Sequence, residues 1–292
     1  MTKDSLGDRM KDYESAPKSR LVRRVPVMIR LDGKAFHTYT RGLPRPYHRP
    51  FHELMWDAAL YLCENIQGCK LAYVQSDEIT LLLTDYENIK TEGWFDYQVQ
   101  KMCSVAASMA TMAFNMAVMK QTGSYAKASA CFDARVWNLP QDEVCNAFIW
   151  RQQDATRNAI QMVGQSLFSH KELQGVSCDE IQEMAFRNHG INFNDLPVPQ
   201  KRGVCIVRKE EERAFVNHAG LNRLLTGQLE GMNLDDMEFV TRNVWSVDEA
   251  IPIFTQDRDY IDQYVYPKPE PQVISSPWEL IEGEEDPVNT ET

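Results

Sequence analysis

Apolar and polar positions alternate through "VPVMIRLD" (25–32): Val25, Val27, Ile29 and Leu31 share one side of an extended chain, and the run stops at Asp32-Gly33. A period of two predicts a half-buried β-strand. Past a loop holding Pro44, Pro46 and Pro50 the spacing changes. In "FHELMWDAALYLCENI", Leu54, Ala58, Tyr61 and Leu62 recur at helical intervals, and Gly68 stops the helix. "KLAYV" and "ITLLL" then read as two strands joined through Gln75, Ser76, Asp77 and Glu78. That junction lacks glycine, asparagine and proline, the common turn formers. Its acids either cap the turn or face a positive charge. Residues 94–119 predict one long helix, and 128–140 a further strand closed by Pro140. The order β-α-β-β-α-β predicts an α+β fold, the ferredoxin-like split βαβ arrangement, with helices on one face of an antiparallel sheet. In that order the first strand is central and pairs with the third.

Downstream, residues 142–168 predict a helix with a polar seam of Arg151, Asp154, Asn158, Gln161 and Gln165. Ser177 and Glu180 form a capping box that starts another helix, and "VCIVRK" is a short strand. The expected organisation is a catalytic palm with an N-terminal extension (1–140), a helical and mixed part packed on it (141–267), and an acidic flexible tail (268–292). Residues 209–267 carry no readable role.

The uncharged stretch 102–119 is long enough to raise the question of a membrane span. Its Ser104, Ser108, Thr111 and Asn115 make one seam, and the rest is rich in alanine and methionine, so a core helix packed on a sheet is expected, with no membrane. Seven cysteines without a Cys-x-x-Cys pair predict reduced thiols in a cytoplasmic protein, and the first fifteen residues carry no signal-peptide pattern. The net charge of −11 argues at first against a nucleic-acid partner, but residues 268–292 alone carry −6. In the remainder, basic residues cluster: Lys18, Arg20, Arg23 and Arg24; Arg41, Arg45 and Arg49; Lys201 and Arg202; Arg208 and Lys209. Together they keep a polyanion partner open.

In the expected topology Asp32, ending the first strand, and Asp77, at the hairpin tip, meet at one end of the sheet. Two carboxylates with open positions suit Mg²⁺, which keeps waters and phosphate oxygens as its other ligands. Metals so held can activate a hydroxyl and stabilise a leaving pyrophosphate. The same acids also fit ordinary turns, Asp32 in an Asp-Gly turn and Asp77 in an Asx turn. Around Asp32, Gly33 allows close backbone approach to phosphate, Lys34 and His37 add basic groups, and Phe36 offers a surface for a base.

The motifs "RLDGKAFHTYT", "AYVQSDE", "FDARV", "WRQQD" and "GINFNDLP" with "KRG" occur in this order over residues 25–208, and through them the chain resembles the tRNA-His guanylyltransferase family, enzymes that add nucleotides in the 3′-to-5′ direction with a polymerase-like palm. The resemblance implies catalytic Asp32, Asp77 and Glu78, with two Mg²⁺ held by Asp32, Asp77 and the Gly33 carbonyl. It implies nucleoside triphosphate (ATP, GTP or another NTP) bound by Asp32, Gly33, Lys34, Ala35, Phe36, His37, Arg45, Ser76, Asp77 and Lys101. Contact with tRNA would fall to Arg135, Arg151, Asn158, Asn192, Asn194 and Arg202, and relatives are tetramers. One segment departs from the pattern. Thr156, Arg157, Asn158 and Ala159 stand where the eukaryotic enzymes carry His-Ile-Asn-Asn. That departure is similar to the Thg1-like branch of bacteria, archaea and viruses, whose members repair 5′-truncated tRNAs by templated addition. A strictly tRNA-His-specific guanylyltransferase is the alternative, followed by a palm-type nucleotide cyclase or 5′-to-3′ polymerase and by an RNA-binding module with a decayed site.

Overall fold

The computed structural model describes residues 5–123, 128–216 and 237–266, so the expected acidic tail lies outside the described residues. In chain order the elements are α1 (Ser5–Ser15), β1 (Val27–Gly33), the short α2 (Phe36–Tyr39), α3 (Arg49–Asn65), β2 (Cys69–Gln75), β3 (Glu78–Leu83), a 3₁₀ turn (Trp94–Tyr97) and α4 (Val99–Thr122). Then come β4 (Phe132–Asn138), α5 (Val144–Leu167), α6 (His170–Leu173), α7 (Cys178–His189), α8 (Val198–Arg202), β5 (Val204–Val216), β6 (Met237–Asp248) and α9 (Asp259–Val265). The described strands form one antiparallel sheet in the order β4-β1-β3-β2-β5-β6. As expected, β1 is central and pairs with β3.

Alternation in β1 sorts its side chains. Val27, Ile29 and Leu31 enter a core with α3 and α4, whereas Met28 enters a second core with Val144, Cys145 and Phe148 of α5 and Ile261 and Val265 of α9. The two long helices of the βαββαβ segment, α3 and α4, thus lie on one face as expected, and α5 and α9 from beyond the segment cover the other. A third, smaller cluster joins Ile160 and Val163 of α5 to Ile181 and Ala185 of α7.

In α3, Pro50 sits in the first turn, where its missing N–H costs nothing. Helix α4 has the length and hydropathy of a membrane span, but Met102, Ala106, Ala110, Phe114 and Val118 are buried in the first core. Its polar seam serves the fold. Asn115 Nδ2 donates to Ala130 O and its Oδ1 accepts from Ala130 N, while Thr111 Oγ1 accepts from Phe132 N. These bonds strap the start of β4, and with it one end of the sheet, to the helix. Ser177 caps α7 as expected, its N–H donating to Glu180 at 2.8 Å, and Ser169 with Glu172 makes a second capping box on α6.

The short strand expected at "VCIVRK" is the start of a long ribbon, β5–β6, paired from Cys205↔Asp248 to Val216↔Met237. Its inner end joins β2 through Val74↔Val204. Gly203 makes that junction, because a Cβ there would lie 2.4 Å from Val74 O, and its φ of +78° is one that side chains rarely adopt. All seven cysteines are unpaired, four of them buried.

Candidate functional site

Three strand ends build the site. Asp32 on β1 is in register with Glu78 on β3 and Asp133 on β4. The β2–β3 turn is two residues long, Ser76 and Asp77, between the paired Gln75 and Glu78. Ser76 takes φ +48°, the left-handed region that a turn glycine would occupy at less cost. Gly33 N donates to Asp77 O at 3.1 Å, which ties the loop after β1 to the hairpin tip. Gly33 has a second constraint: an added Cβ would stand 2.3 Å from the Phe36 ring.

The electrostatics of the acids point the same way. Burial pushes the Asp77 carboxyl above its ordinary range, and the charge of Asp32 adds to the shift. Burial also raises Asp32, with Asp133 adding and the guanidiniums of Arg135, Arg30 and Arg151 opposing. Neither Asp32 nor Asp77 has an ion-pair partner within 4 Å among the described residues. Two half-buried carboxylates that repel each other and lack a counter-ion suit a hard divalent cation. Among the described residues no group of three or more His, Cys, Asp or Glu forms a metal cage. The donor set therefore fits Mg²⁺, completed by water and phosphate oxygens.

Asp32, Gly33 and Asp77 open on a cleft of about 640 Å³ whose walls include Ala35, His37, Arg41, Arg45, His48, Ser76 and Gln165. Of the residues expected to hold nucleotide, Asp32, Gly33, Ala35, Phe36, His37, Arg45, Ser76 and Asp77 all come together here. Arg45 donates to Gln165 Oε1 at 3.3 Å, so the α5 seam forms one wall. Lys34 is exposed and lies outside the lining.

Lys101 is remote. It stands in the first turn of α4, over the Phe95 ring, thirteen residues and thus about 20 Å before Phe114. Phe114 is the α4 residue that packs on Phe36 and Phe132 near the acids.

Phe36 lines the cleft but leaves little of its ring free. It is 3% exposed, and Tyr39, Phe51, Phe114 and Phe132 surround its ring at 5.0–6.1 Å between centroids. Its role is to support the Gly33 loop from below. Glu78 is not an open ligand; it faces a positive charge. It is buried, and Arg151 donates to both of its oxygens at 2.7 Å. The same guanidinium donates to Asp154 at 2.9 Å. Arg151, expected to contact RNA, is thus a buried strut.

The other expected RNA residues remain accessible. Asn158 and Arg202 line a small pocket of about 120 Å³ that continues from the cleft past Ser76. Asn194 and Arg202 flank another depression, Asn192 Oδ1 accepts from Asn194 N, and Arg135 is exposed on β4.

Two groups in the cleft region escaped the sequence reading. The Tyr47 hydroxyl and His48 Nδ1 are buried without a hydrogen-bond partner among the described residues, a costly state that a polar ligand relieves. Stacked on Tyr47 at 4.1 Å, His52 is held neutral, since burial and His48 push its pKa down to about 4.

Paired acids at the end of an antiparallel sheet, facing a basic cleft, define an enzyme of the nucleotidyltransferase class. The family model described as tRNAHis guanylyltransferase matches residues 7–140. A solved structure of a bacterial tRNA(His) guanylyltransferase (Thg1)-like protein in complex with ATP is 43% identical, covers 90% of this chain and 99% of its own, and superposes with a TM-score of 0.76. The complex of such a protein with GTP gives 41% identity, 90% and 100% coverage and a TM-score of 0.69. A probable tRNA(His) guanylyltransferase from Dictyostelium discoideum is 25% identical over 241 residues, 77% of this chain and 90% of that protein. The chain belongs to the tRNA-His guanylyltransferase superfamily.

Proposed function

We propose that the protein is an Mg²⁺-dependent 3′-to-5′ nucleotide-adding enzyme that restores the 5′ end of truncated tRNA on a template, built on a ferredoxin-like, polymerase-type palm. The observation that carries the reading is the meeting of Asp32 and Asp77 over a cleft walled by His37, Arg45 and Ser76. Support comes from similarity over 90% of the chain to a bacterial protein solved with ATP and with GTP. The strand order β4-β1-β3-β2 supports the palm. The Thr156–Ala159 departure from His-Ile-Asn-Asn supports the repair branch.

Asp32, Asp77 and the Gly33 carbonyl would hold two Mg²⁺, which when bound lower the pKa of an attacking hydroxyl and offset charge on the phosphates. The rest is work for the chain. In the first step a 5′-phosphate oxygen of the RNA attacks the α-phosphate of ATP, and pyrophosphate leaves. In the second, the 3′-hydroxyl of an incoming NTP attacks the activated 5′-phosphate, a phosphodiester forms, and AMP leaves. Arg45 and His37 orient phosphate groups, and the Glu78–Arg151 pair fixes the strand that ends at the acids. Asn158 and Arg202 flank the approach of RNA, and the enzyme works as a tetramer in the cytoplasm, where its thiols stay reduced.

The test compares 5′-end extension of full-length tRNA-His and of several 5′-truncated tRNAs, with matched and mismatched opposing nucleotides. Extension of truncated tRNAs that follows the opposing base is expected. Addition of a single G to full-length tRNA-His alone would move the assignment to the tRNA-His-specific enzyme.

A further inference from the structure

Two residues before Asp32, on the same face of β1, Arg30 leaves the sheet between two tryptophans. Its guanidinium carbon lies 5.5 Å from the ring centre of Trp150 on α5 and 6.0 Å from that of Trp137 on β4. Trp150 is 49% exposed although it adjoins the buried Arg151. Leaving half an indole in water forgoes much of its burial energy. Together with Arg135, Leu139, Glu143, Asn146 and Ala147, these side chains line an open groove of about 520 Å³ that is mostly apolar. None of it belongs to the cleft walled by His37 and Arg45.

The groove has a polarity set by the antiparallel pairing. Its Arg30 and Arg135, cross-strand partners, lie one pair-step from Asp32 and Asp133, at roughly 7 Å along the strand. The two indoles line it, and β4 runs from Asp133, the partner of Asp32, through Trp137, the partner of Met28, toward the turn before α5 that carries the exposed Glu143. A phosphate is favoured at the guanidinium end and disfavoured near Glu143. An unpaired base is favoured between them, since bases stack on indoles and on arginine planes.

We propose that this groove is the seat of the 5′-terminal nucleotide of the RNA: its base stacks on Trp150 and Trp137, and Arg30 and Arg135 hold its 5′-phosphate toward Asp32. The inference rests on the reading of the protein as an enzyme of RNA 5′ ends. It gives the two substrates separate entries, with triphosphate nucleotide from the His37–Arg45 side and RNA from the tryptophan side. Stacking without base-edge contacts accepts any base, as a repair enzyme requires.

The experiment uses a 5′-monophosphorylated RNA hairpin with 2-aminopurine as its unpaired 5′-terminal nucleotide, titrated with the full-length protein. Wild type should quench the fluorophore. Trp150→Ala should remove most of the quenching, weaken the RNA about tenfold and raise KM for RNA, with KM for ATP unchanged. Trp150→Phe, which keeps a ring, should restore both, and this rescue separates stacking from damage to the fold. If wild type binds the RNA and extends it while the 2-aminopurine stays bright, the groove proposal fails and the enzymatic reading stands. If wild type neither binds nor extends it, both fail. Loss of ATP affinity in Trp150→Ala would give the groove to the triphosphate instead. A changed oligomeric state with unchanged RNA affinity would give it to a second copy of the chain. Either result overturns the proposal.

Discussion

Replacing Arg151 by Met removes one half of a buried ion pair. Glu78 and Arg151 have side chains only 8% and 10% exposed, joined by two bonds of 2.7 Å. Without the guanidinium, both Glu78 oxygens lose these charge-assisted bonds inside the sheet–helix interface. Such a loss typically costs about 3–5 kcal/mol. Asp154 suffers less, because it is 29% exposed and keeps Arg157 at 2.9 Å. At about 2–4 °C per kcal/mol for a chain near this size, the melting temperature should fall by roughly 6–20 °C. The double variant Glu78→Leu/Arg151→Met removes both charges and should recover most of the loss, since apolar replacements of buried pairs are often near neutral. Urea and thermal melts measure both variants. RNA affinity, read where each variant is folded, should stay within twofold of wild type. A single variant that loses less than about 1 kcal/mol while its RNA affinity falls tenfold would refute the strut and return Arg151 to the RNA-binding role.

Gly33→Ala should lose activity and about 1–3 kcal/mol of stability, because its Cβ would overlap the Phe36 ring that four other aromatic rings hold in place; a denaturant melt and an extension assay check both. For pH, Asp32 and Asp77 titrate above the ordinary 3.8, so the folded state favours their protonated forms. Without divalent metal, their contribution is least unfavourable below 3.8, and stability is lost as pH rises through their raised values. Asp77→Asn should flatten that loss, as melts in chelator across pH would show. Because Mg²⁺ competes with those protons, the acid limb of activity should shift lower as Mg²⁺ is raised.

Much of the β1–β4 arrangement was legible in the sequence because each of these strands is apolar on at least one face and bounded by clear breaks. The two acids were placed correctly for the same reason, since the alternation of β1 and the two-residue turn leave them one end of the sheet to share. The β5–β6 ribbon was illegible beyond Val207. "RKEEERAF" shows no periodic burial, because Glu210, Glu211, Glu212 and Arg213 are all exposed. The burial of Phe36 and Arg151 was not legible because in both cases it comes from distant elements: Phe114 and Phe132 cover the ring, and Glu78 lies 73 positions from the arginine that binds it. Trp150 stood in the "WRQQD" motif but was given no role, since a tryptophan on an amphipathic helix reads as core until its exposure is seen.

In the proposed reaction RNA grows at its 5′ end at the Asp32–Asp77 site. A 5′-truncated tRNA carrying a 3′-terminal fluorophore that blocks 3′ addition, incubated with ATP, the four NTPs and Mg²⁺, tests it most directly. Wild type should lengthen the RNA one nucleotide at a time. Asp32→Ala and Asp77→Ala, with the circular-dichroism spectrum of wild type, should leave it unchanged. Extension that requires a free 3′-hydroxyl on the tRNA, or near-normal extension by either variant, would contradict the account.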